Sequence, residues 1–199
     1  MIKTSRLILR PWHESDLAPF AELHADPEVM RFLGGPLTRN ESDAYVRRAE
    51  AHYATHGFCK WAVEAPGIAP LIGGVGLSYV SFDASFTPAV EVAWRLHKRF
   101  WGKGYATEAA RAAIHDGLTR IGLSEIVALT TLANLPSQRV MQRLEMRREI
   151  EFDHPRYAAD HPLCRHVLYR MAARARTDGS PVGQPPVQTR SGIFSASGE

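Results

Sequence analysis

The alternation of apolar and polar residues predicts one strand and two helices in the first third of the chain. Residues 4–10 place two leucines on one face, as in a half-buried strand. Residues 17–24 repeat apolar positions at helical spacing. Asp26 and Pro27 end that segment, because the residue before a proline disfavours helical geometry.

The second helix has clear start and stop signals. Thr38 and Glu41 have the spacing of a capping box, in which each side chain binds the main-chain amide of the other residue. Gly57 is expected to end the helix, because glycine readily adopts the left-handed conformation found at helix C-termini.

The rest of the chain predicts a sheet interleaved with helices. Two apolar segments flank a loop that contains proline and glycine, which is typical of a hairpin. The predicted strands lie at residues 58–64, 71–80, 90–96, 126–131, around Phe152 and at 166–171, and the predicted helices at 107–118 and 137–144. This order, β-α-α-β-β-β-α-β-α-β-β, predicts an α+β fold with a mixed, mostly antiparallel sheet flanked by helices.

The composition is that of an ordinary globular domain. The chain has 199 residues, is 45% hydrophobic and carries a formal charge of +3, which is too small to indicate a nucleic-acid partner. No apolar stretch approaches the roughly 18 residues of a membrane span, and the N-terminus is too charged for a signal peptide. We therefore expect a cytoplasmic protein with no membrane and no nucleic-acid partner.

Cysteine, histidine and proline usage adds three expectations. Cys59 and Cys164 form no C-x-x-C pair, which favours free thiols in a reducing compartment. His52 and His56 lack a supporting carboxylate or cysteine set, so we expect no metal site. Residues 174–199 are rich in proline, glycine and serine, which predicts a domain over residues 1–173 followed by a disordered tail, or an ordered extension that a partner uses.

The most informative segment is the short loop between the strand at 90–96 and the following helix. Gly102 and Gly104 permit positive φ and leave space beside the main chain. Successive amides in such a turn, together with the free amides of a helix N-terminus, bind anions such as a diphosphate. A tight turn without a ligand would use the same glycines, so the spacing alone leaves both interpretations open.

Two familiar phosphate-binding motifs do not fit this loop. The third glycine of a dinucleotide-binding fingerprint would fall at Thr107, and no Gly-Lys-Ser/Thr sequence ends the loop. Arg99 and Lys103 add positive charge beside the two glycines.

The loop resembles a signature of the GNAT acetyltransferases. Residues 99–104, Arg-Phe-Trp-Gly-Lys-Gly, match R/Q-x-x-G-x-G/A, and residues 100–109 resemble more narrowly the RimJ/RimL-type branch, which modifies ribosomal-protein N-termini among other substrates. Residues 6–11, 134–137 and 166–169 are also similar to that branch. Leu144-Glu145-Met146 replaces the usual Leu-Gly-Phe, so the turn into the next strand is expected to differ. His97-Lys98 likewise replaces the common Asp-Pro before the loop.

The resemblance implies a sheet that splays apart between the fourth and fifth predicted strands, with acetyl-CoA in the gap. Main-chain groups near Trp94 and Leu96 would pair with its pantetheine arm. The diphosphate loop would comprise Arg99, Trp101, Gly102, Lys103, Gly104, Tyr105 and Ala106. Asn134 and Ser137 would lie near the thioester, although Asn134 could serve only as a turn residue.

The resemblance also implies an N-acetyltransferase that moves an acetyl group from acetyl-CoA to a primary amine. Ser137 is the candidate for protonating the leaving thiolate or orienting the sulfur, and a helix-capping hydroxyl is the alternative. Glu91 is the candidate base, and a solvent-facing or Arg95-paired carboxylate is the alternative. Strand alternation places Glu91 on the same face as Ala93 and Arg95.

The sequence gives little evidence for a dedicated general base, which favours an acceptor amine of low pKa. A protein α-amine titrates near ~7.7–8.0 and lysine near ~10.4, so an α-amine is neutral far more often at neutral pH. The expected partners are acetyl-CoA and an amine, which is a protein N-terminus or a small molecule, and the chain would be a monomer or homodimer. Residues 152–155 with His166 would line the acceptor site, or would simply pack on the sheet.

Two other functions compete with this interpretation. A non-catalytic acyl-CoA sensor could use the same fold and the same loop. A nucleic-acid-binding protein is disfavoured, because no motif of interleaved basic and aromatic residues is present.

Overall fold

The computed structural model describes residues 1–173, which build one sheet between two layers of helices. The strands are β1 (Ile2–Lys3), β2 (Ile8–Arg10), β3 (Lys60–Ala65), β4 (Ala69–Tyr79), β5 (Val90–Leu96), β6 (Glu125–Thr131), β7 (Arg147–Asp153) and β8 (Arg165–Ala172). The helices are α1 (Leu17–Ala25), α2 (Pro27–Met30), α3 (Arg39–His56), α4 (Tyr105–Asp116) and α5 (Leu135–Arg143).

The sheet order is β1-β2-β3-β4-β5-β6-β8-β7, and β5–β6 is the parallel pair among otherwise antiparallel neighbours. One face carries α1, because a Cβ on Gly74 of β4 would meet the ring of Phe20 at 3.3 Å. The opposite face carries the end of α4, where a Cβ on Gly117 would approach Leu77 within 2.6 Å. The predicted α+β fold with a mostly antiparallel sheet flanked by helices is confirmed.

The predicted first strand is shorter than expected. Residues 4–7 form a turn in which the amide of Thr4 donates to the carbonyl of Leu7 at 2.9 Å, and this turn separates β1 from β2. The helix predicted from residue 107 begins at Tyr105, directly after the glycine loop, and a π-helical turn at Gly117–Ile121 extends it.

The capping box at the start of α3 is confirmed. The Thr38 amide donates to Glu41 Oε2 at 2.7 Å, and the Glu41 amide donates to Thr38 Oγ1 at 3.3 Å. Gly57 ends the helix in the left-handed conformation, with φ 74°. The local signals of the sequence therefore fix both ends of this helix.

The turn after Leu144 forms without a glycine. Glu145 itself adopts φ 62°, the left-handed conformation that glycine favours, and its amide donates to the carbonyl of Gln142 at 2.9 Å. The chain thus places a non-glycine residue in a left-handed turn and accepts the strain of a side chain there.

Replacing Glu145 by glycine should stabilise the protein. The left-handed conformation costs an L-residue about 1–2 kcal/mol, and the greater freedom of glycine in the unfolded chain offsets part of the gain. We expect Glu145→Gly to raise the free energy of unfolding by about 0.5–1 kcal/mol in urea titrations. Glu145→Ala removes the charge but keeps the strain and should change little. A glycine variant less stable than the wild type would contradict this account.

Several other features of the described residues bear on the expectations above. Cys59 and Cys164 are both buried and free. Within residues 1–173, the helices are too short or too polar to cross a bilayer. The predicted disorder of residues 174–199 lies outside the described part of the chain.

Candidate active site

The two central strands β5 and β6 separate soon after they meet. They pair at a single register position, Glu91 opposite Val127. The His97 amide donates to the Ile72 carbonyl, and the register of β4 with β5 makes the main-chain groups of residues 91, 93, 95 and 97 face β4. The main-chain groups of Trp94 and Leu96 therefore point the other way, into the opening between β5 and β6.

A tryptophan side chain closes one end of this opening. The Trp101 indole Nε1 donates to the Leu96 carbonyl at 2.8 Å, so this carbonyl already has a partner. Trp101 is 44% exposed, although it is large and apolar. The main-chain groups of Trp94 and the amide of Leu96 remain directed into the opening.

The glycine loop turns its amides away from the protein. Gly102 and Gly104 have φ values of 73° and 80°. The amides of Phe100 and Trp101 donate to main-chain carbonyls, and the next such bond is from Glu108 to the Gly104 carbonyl. Among the described residues, the intervening amides of residues 102–107 donate to no main-chain carbonyl, and α4 has no side-chain cap. The loop therefore presents a row of donors at the positive end of a helix.

An arginine from the N-terminal segment holds this loop in place. Arg6 Nη1 donates to the Lys103 carbonyl at 3.1 Å, and Arg6 Nε donates to Glu108 Oε2 at 2.7 Å. Glu108 Oε1 also accepts from Thr4 Oγ1 at 2.6 Å. Sequence reasoning missed this link, because residues a hundred positions apart carry no spacing signal.

The side chains of the loop have different surroundings. Tyr105 is buried, and the guanidinium carbon of Arg6 lies 4.8 Å from the centre of its ring. Arg99 and Lys103 are exposed, and their charged groups lie 5.0 Å and 5.6 Å from the ring of Phe100. Ala106 is half-buried in the first turn of α4.

Asn134 and Ser137 occupy the first turn of α5, beyond the end of β6. Asn134 Oδ1 accepts from the Ser137 amide at 3.3 Å, and Asn134 Nδ2 donates to Thr130 Oγ1 at 3.0 Å. Asn134 thus caps the N-terminus of α5, a structural role that fits the alternative of a turn residue. The capping alternative for the Ser137 hydroxyl is wrong, since Asn134 performs that role and Ser137 is half-buried.

Glu91 lies on the same face of β5 as Ala93 and Arg95, as strand alternation predicts. Its Oε1 accepts from Lys60 Nζ at 2.8 Å and from Ser78 Oγ at 3.3 Å. The carboxylate therefore pairs with Lys60 and not with Arg95. Burial lowers the pKa of Lys60, but the charges of Glu91 and Tyr45 and the hydrogen bond to Glu91 together outweigh it and raise this pKa overall.

Arg95 lies further along the same face and is backed by a buried histidine. Arg95 Nη1 lies 2.5 Å from His24 Nε2, and its guanidinium carbon lies 5.0 Å from the ring of Tyr45. His24 Nδ1 is 2.8 Å from Ser42 Oγ, and both residues are buried. Burial, followed by the charges of Arg95 and His97, lowers the pKa of His24 to about 3.

Aromatic and histidine rings form a wall beside Glu91. Phe82 lies 4.4 Å from His154, and His154 lies 4.7 Å from His166, between ring centroids. Burial lowers the pKa of His154; the charges of His166 and Arg156 lower it further, and Glu91 opposes them. His154, in the loop after β7, therefore lies within electrostatic range of Glu91 on β5, and the acceptor-site role of residues 152–155 and His166 stays a prediction.

The histidines do not assemble into a metal site within residues 1–173, where no group of three or more metal-binding side chains occurs. His52 has both ring nitrogens engaged, since Nδ1 lies 2.8 Å from the Phe58 carbonyl and Nε2 accepts from the Tyr79 amide at 3.2 Å.

Known proteins share both this fold and this sequence pattern. Residues 6–147 match the acetyltransferase (GNAT) domain family. The uncharacterized N-acetyltransferase YnaD of Bacillus subtilis (strain 168) is 31% identical over 149 residues, which span 74% of this chain and 83% of that protein. FsC-acetyl coenzyme A-N(2)-transacetylase of Aspergillus fumigatus is 31% identical over 147 residues, 70% of this chain and 62% of that protein.

Solved structures of acetyltransferases have a similar fold. A GNAT-family acetyltransferase from Bacillus anthracis has 26% identity and a TM-score of 0.70, covering 86% of this chain and 98% of that one. RimL, a ribosomal L7/L12 alpha-N-protein acetyltransferase solved with coenzyme A, has 16% identity and a TM-score of 0.69, covering 85% and 95%. Its likeness shows the fold alone. The chain belongs to the GNAT acetyltransferases and is an acetyl-CoA-dependent acyltransferase.

Proposed function

We propose that this enzyme acetylates a primary amine by direct attack of the amine on acetyl-CoA. The observation that carries the proposal is the row of outward amides at residues 102–107, beside the opening between β5 and β6. These amides would bind the diphosphate, with Arg99 and Lys103 contributing screened positive charge. The pantetheine arm would lie along the main chain of Trp94 and Leu96, as an added strand would.

The chemistry needs few protein groups. The neutral amine nitrogen attacks the thioester carbonyl carbon, the new N–C bond forms, and the carbonyl electrons move to oxygen. A main-chain N–H of β5 would stabilise that oxyanion. When the tetrahedral intermediate collapses, the C–S bond breaks, the thiolate leaves and the nitrogen loses its proton.

Ser137 and Glu91 have proposed roles in moving the protons. Ser137 is half-buried and its hydroxyl is not used to cap α5, which supports its assignment to the leaving thiolate. Glu91 would take the proton from the amine, directly or through water. Since Oε1 already accepts two hydrogen bonds, the other carboxylate oxygen is the one that would do so.

The acceptor is a low-pKa amine, either a protein N-terminus or a small molecule. The similarity of residues 100–109 to the RimJ/RimL-type branch supports N-terminal amines among these. We also propose that residues 1–173 form the acetyltransferase domain.

The glycine loop is tested by a pair of valine variants. Gly104→Val should weaken acetyl-CoA binding by at least about tenfold, because valine cannot hold φ near 80° and the outward amides would turn. Isothermal titration and the rise in melting temperature on adding acetyl-CoA both measure this effect.

Gly122→Val is the matched control. Gly122 has nearly the same φ, 81°, lies far from the loop in a helix C-cap, and a Cβ there would meet nothing within 4 Å. Both variants lose similar stability, but the control should bind acetyl-CoA normally. Equal binding by the two variants would remove the loop from the site.

Measuring turnover distinguishes the proposed enzyme from a non-catalytic acyl-CoA sensor. The enzyme releases free CoA thiol with at least one amine, and a thiol reagent detects it. Tight acetyl-CoA binding with no thiol release across a broad amine panel would favour the sensor.

A further inference from the structure

The face of β5 that carries Glu91 contains more positive charge than the acetyl-transfer chemistry uses. Lys60 and Glu91 pair at 2.8 Å and neutralise each other. Arg95 is partly buried on the same face, and within residues 1–173 the only carboxylate whose charge acts on it is that of Glu91, which Lys60 already binds. A guanidinium in such surroundings has a desolvation cost that an ion partner normally offsets.

Comparison with the buried Arg10 shows how unusual Arg95 is. Arg10 donates five hydrogen bonds, to Asp16, Glu64 and the carbonyls of Pro11 and Pro70. Arg95 has the same five N–H donors, yet within residues 1–173 its partner is the ring of His24. The other nitrogens of Arg95 have no hydrogen-bond partner within residues 1–173, yet they are not buried. They are therefore accessible to solvent or to a ligand.

A second arginine faces the same space. Arg156, in the loop between β7 and β8, has its Nη2 3.4 Å from where a Cβ of Gly34 would lie. The loop that contains Gly34 returns to α1, where the Leu37 amide donates to the His24 carbonyl at 2.9 Å. The positive charge of Arg156 acts on Arg95 and lowers its pKa after the larger effect of burial. The two guanidiniums therefore lie close enough for their charges to act on each other.

We propose that the acceptor is a primary amine that carries an anionic group, of which a carboxylate is the simplest, and that Arg95 and Arg156 bind that group. This inference rests on the proposed acetylation of an amine. Guanidinium groups bind carboxylates in a bidentate fork, which fixes orientation as well as charge. His24 acts as a positioning residue, because its Nε2 holds Nη1 of Arg95 while Ser42 holds its other nitrogen.

The same arrangement would assist the reaction. Cations near an amine disfavour its protonated form, so Arg95 and Arg156 would raise the fraction of neutral, nucleophilic amine. The aromatic wall of Phe82 and the rings behind it would limit the size of the group beside the amine.

Matched acceptor pairs test the proposal. The pairs are glutamate with glutamine, amino acids with their α-carboxamides, and short peptides with glutamate or glutamine in the second position. For each pair, kcat/KM from thiol release gives a preference ratio for the anionic member. Comparing this ratio between enzyme variants cancels the difference in amine pKa between the two acceptors.

We expect Arg156→Gln and Arg95→Gln each to lower the preference ratio by about tenfold, the effect of losing one charged hydrogen bond. Arg48→Gln, which removes an exposed arginine of α3, should leave it unchanged. Arg156 is exposed, so its variant remains informative even if Arg95→Gln folds poorly. Acetyl-CoA binding should be normal in each variant, which separates an acceptor effect from loss of the glycine loop.

Each outcome decides the matter. A preference for the anionic member that both arginine variants reduce supports the proposal, and the free amino acid or peptide arm identifies the source of the anion. Equal or better use of the neutral member, or a ratio unaffected by both variants, overturns it. If no amine reacts, the readout becomes the rise in melting temperature caused by these anions in the presence of CoA, and no rise specific to the arginines overturns the proposal as well.

Discussion

Asp16→Ala should destabilise the protein by about 3 kcal/mol, because it removes the bidentate partner of a buried arginine and leaves Glu64 as its one remaining carboxylate. Arg10 and Asp16 are 7% and 2% exposed and form a bidentate pair with distances of 2.7 Å and 3.0 Å. Asp16 also accepts from the His13 amide at 2.8 Å, so its loss leaves a second donor unpaired. Urea unfolding measured at pH 7 gives the change.

Two further variants distinguish the cost of leaving a buried charge unpaired from the cost of losing an ion pair. Asp116→Ala removes the carboxylate from an i,i+4 pair whose arginine is 53% exposed, and should cost less than about 1 kcal/mol. The double variant Arg10→Met/Asp16→Leu removes both buried charges and should be more stable than Asp16→Ala, because the carboxylate that it leaves unpaired, Glu64, is 30% exposed. A double variant no more stable than the single one would contradict the role given to Arg10.

The elements with strong local signals could be predicted from the sequence. Residues 90–96 were predicted as a strand, and the structure places β5 at the same positions. The capping box at Thr38 and the helix end at Gly57 follow from side-chain chemistry within a few residues. Glycine spacing likewise located the loop before α4, since positive φ is a local property.

Contacts between distant segments could not be predicted in this way. Glu91 was placed on the correct face by alternation, but its partner proved to be Lys60, which lies on a strand two positions away in the sheet. The link from Arg6 to Glu108 likewise depends on tertiary packing. The turn at Glu145 shows the reverse case, in which neighbouring structure imposes a conformation that the local sequence disfavours.

The positive face of β5 lay outside sequence reasoning for the same reason. Arg95 was considered as a partner for Glu91, because the two lie on one strand face. The structure instead joins it to His24 of α1, and brings Arg156 from the far end of the chain. Three segments must fold before their shared charge is apparent.

His24 should make the protein sensitive to mild acid. Its pKa is lowered from 6.5 to about 3 in the folded state, mainly by burial. As the pH falls below 6.5, the unfolded chain therefore binds a proton that the folded chain refuses. The loss of stability due to His24 is absent above pH 6.5 and grows as the pH falls toward 3. Between pH 7 and pH 5 this histidine alone should lower the free energy of unfolding by about 2 kcal/mol.

Urea titrations of wild type, His24→Gln and His115→Gln at pH 7 and pH 5 measure this effect. His24→Gln is less stable at pH 7 but should lose about 2 kcal/mol less than the wild type on acidification. His115 is exposed, so its variant should keep the acid sensitivity of the wild type. His52, His97, His154 and His166 also have lowered pKa values and contribute the loss that remains in His24→Gln. Equal losses in wild type and His24→Gln would mean that the folded protein admits a proton at His24 beside Arg95, and the close contact between these two side chains could not then persist.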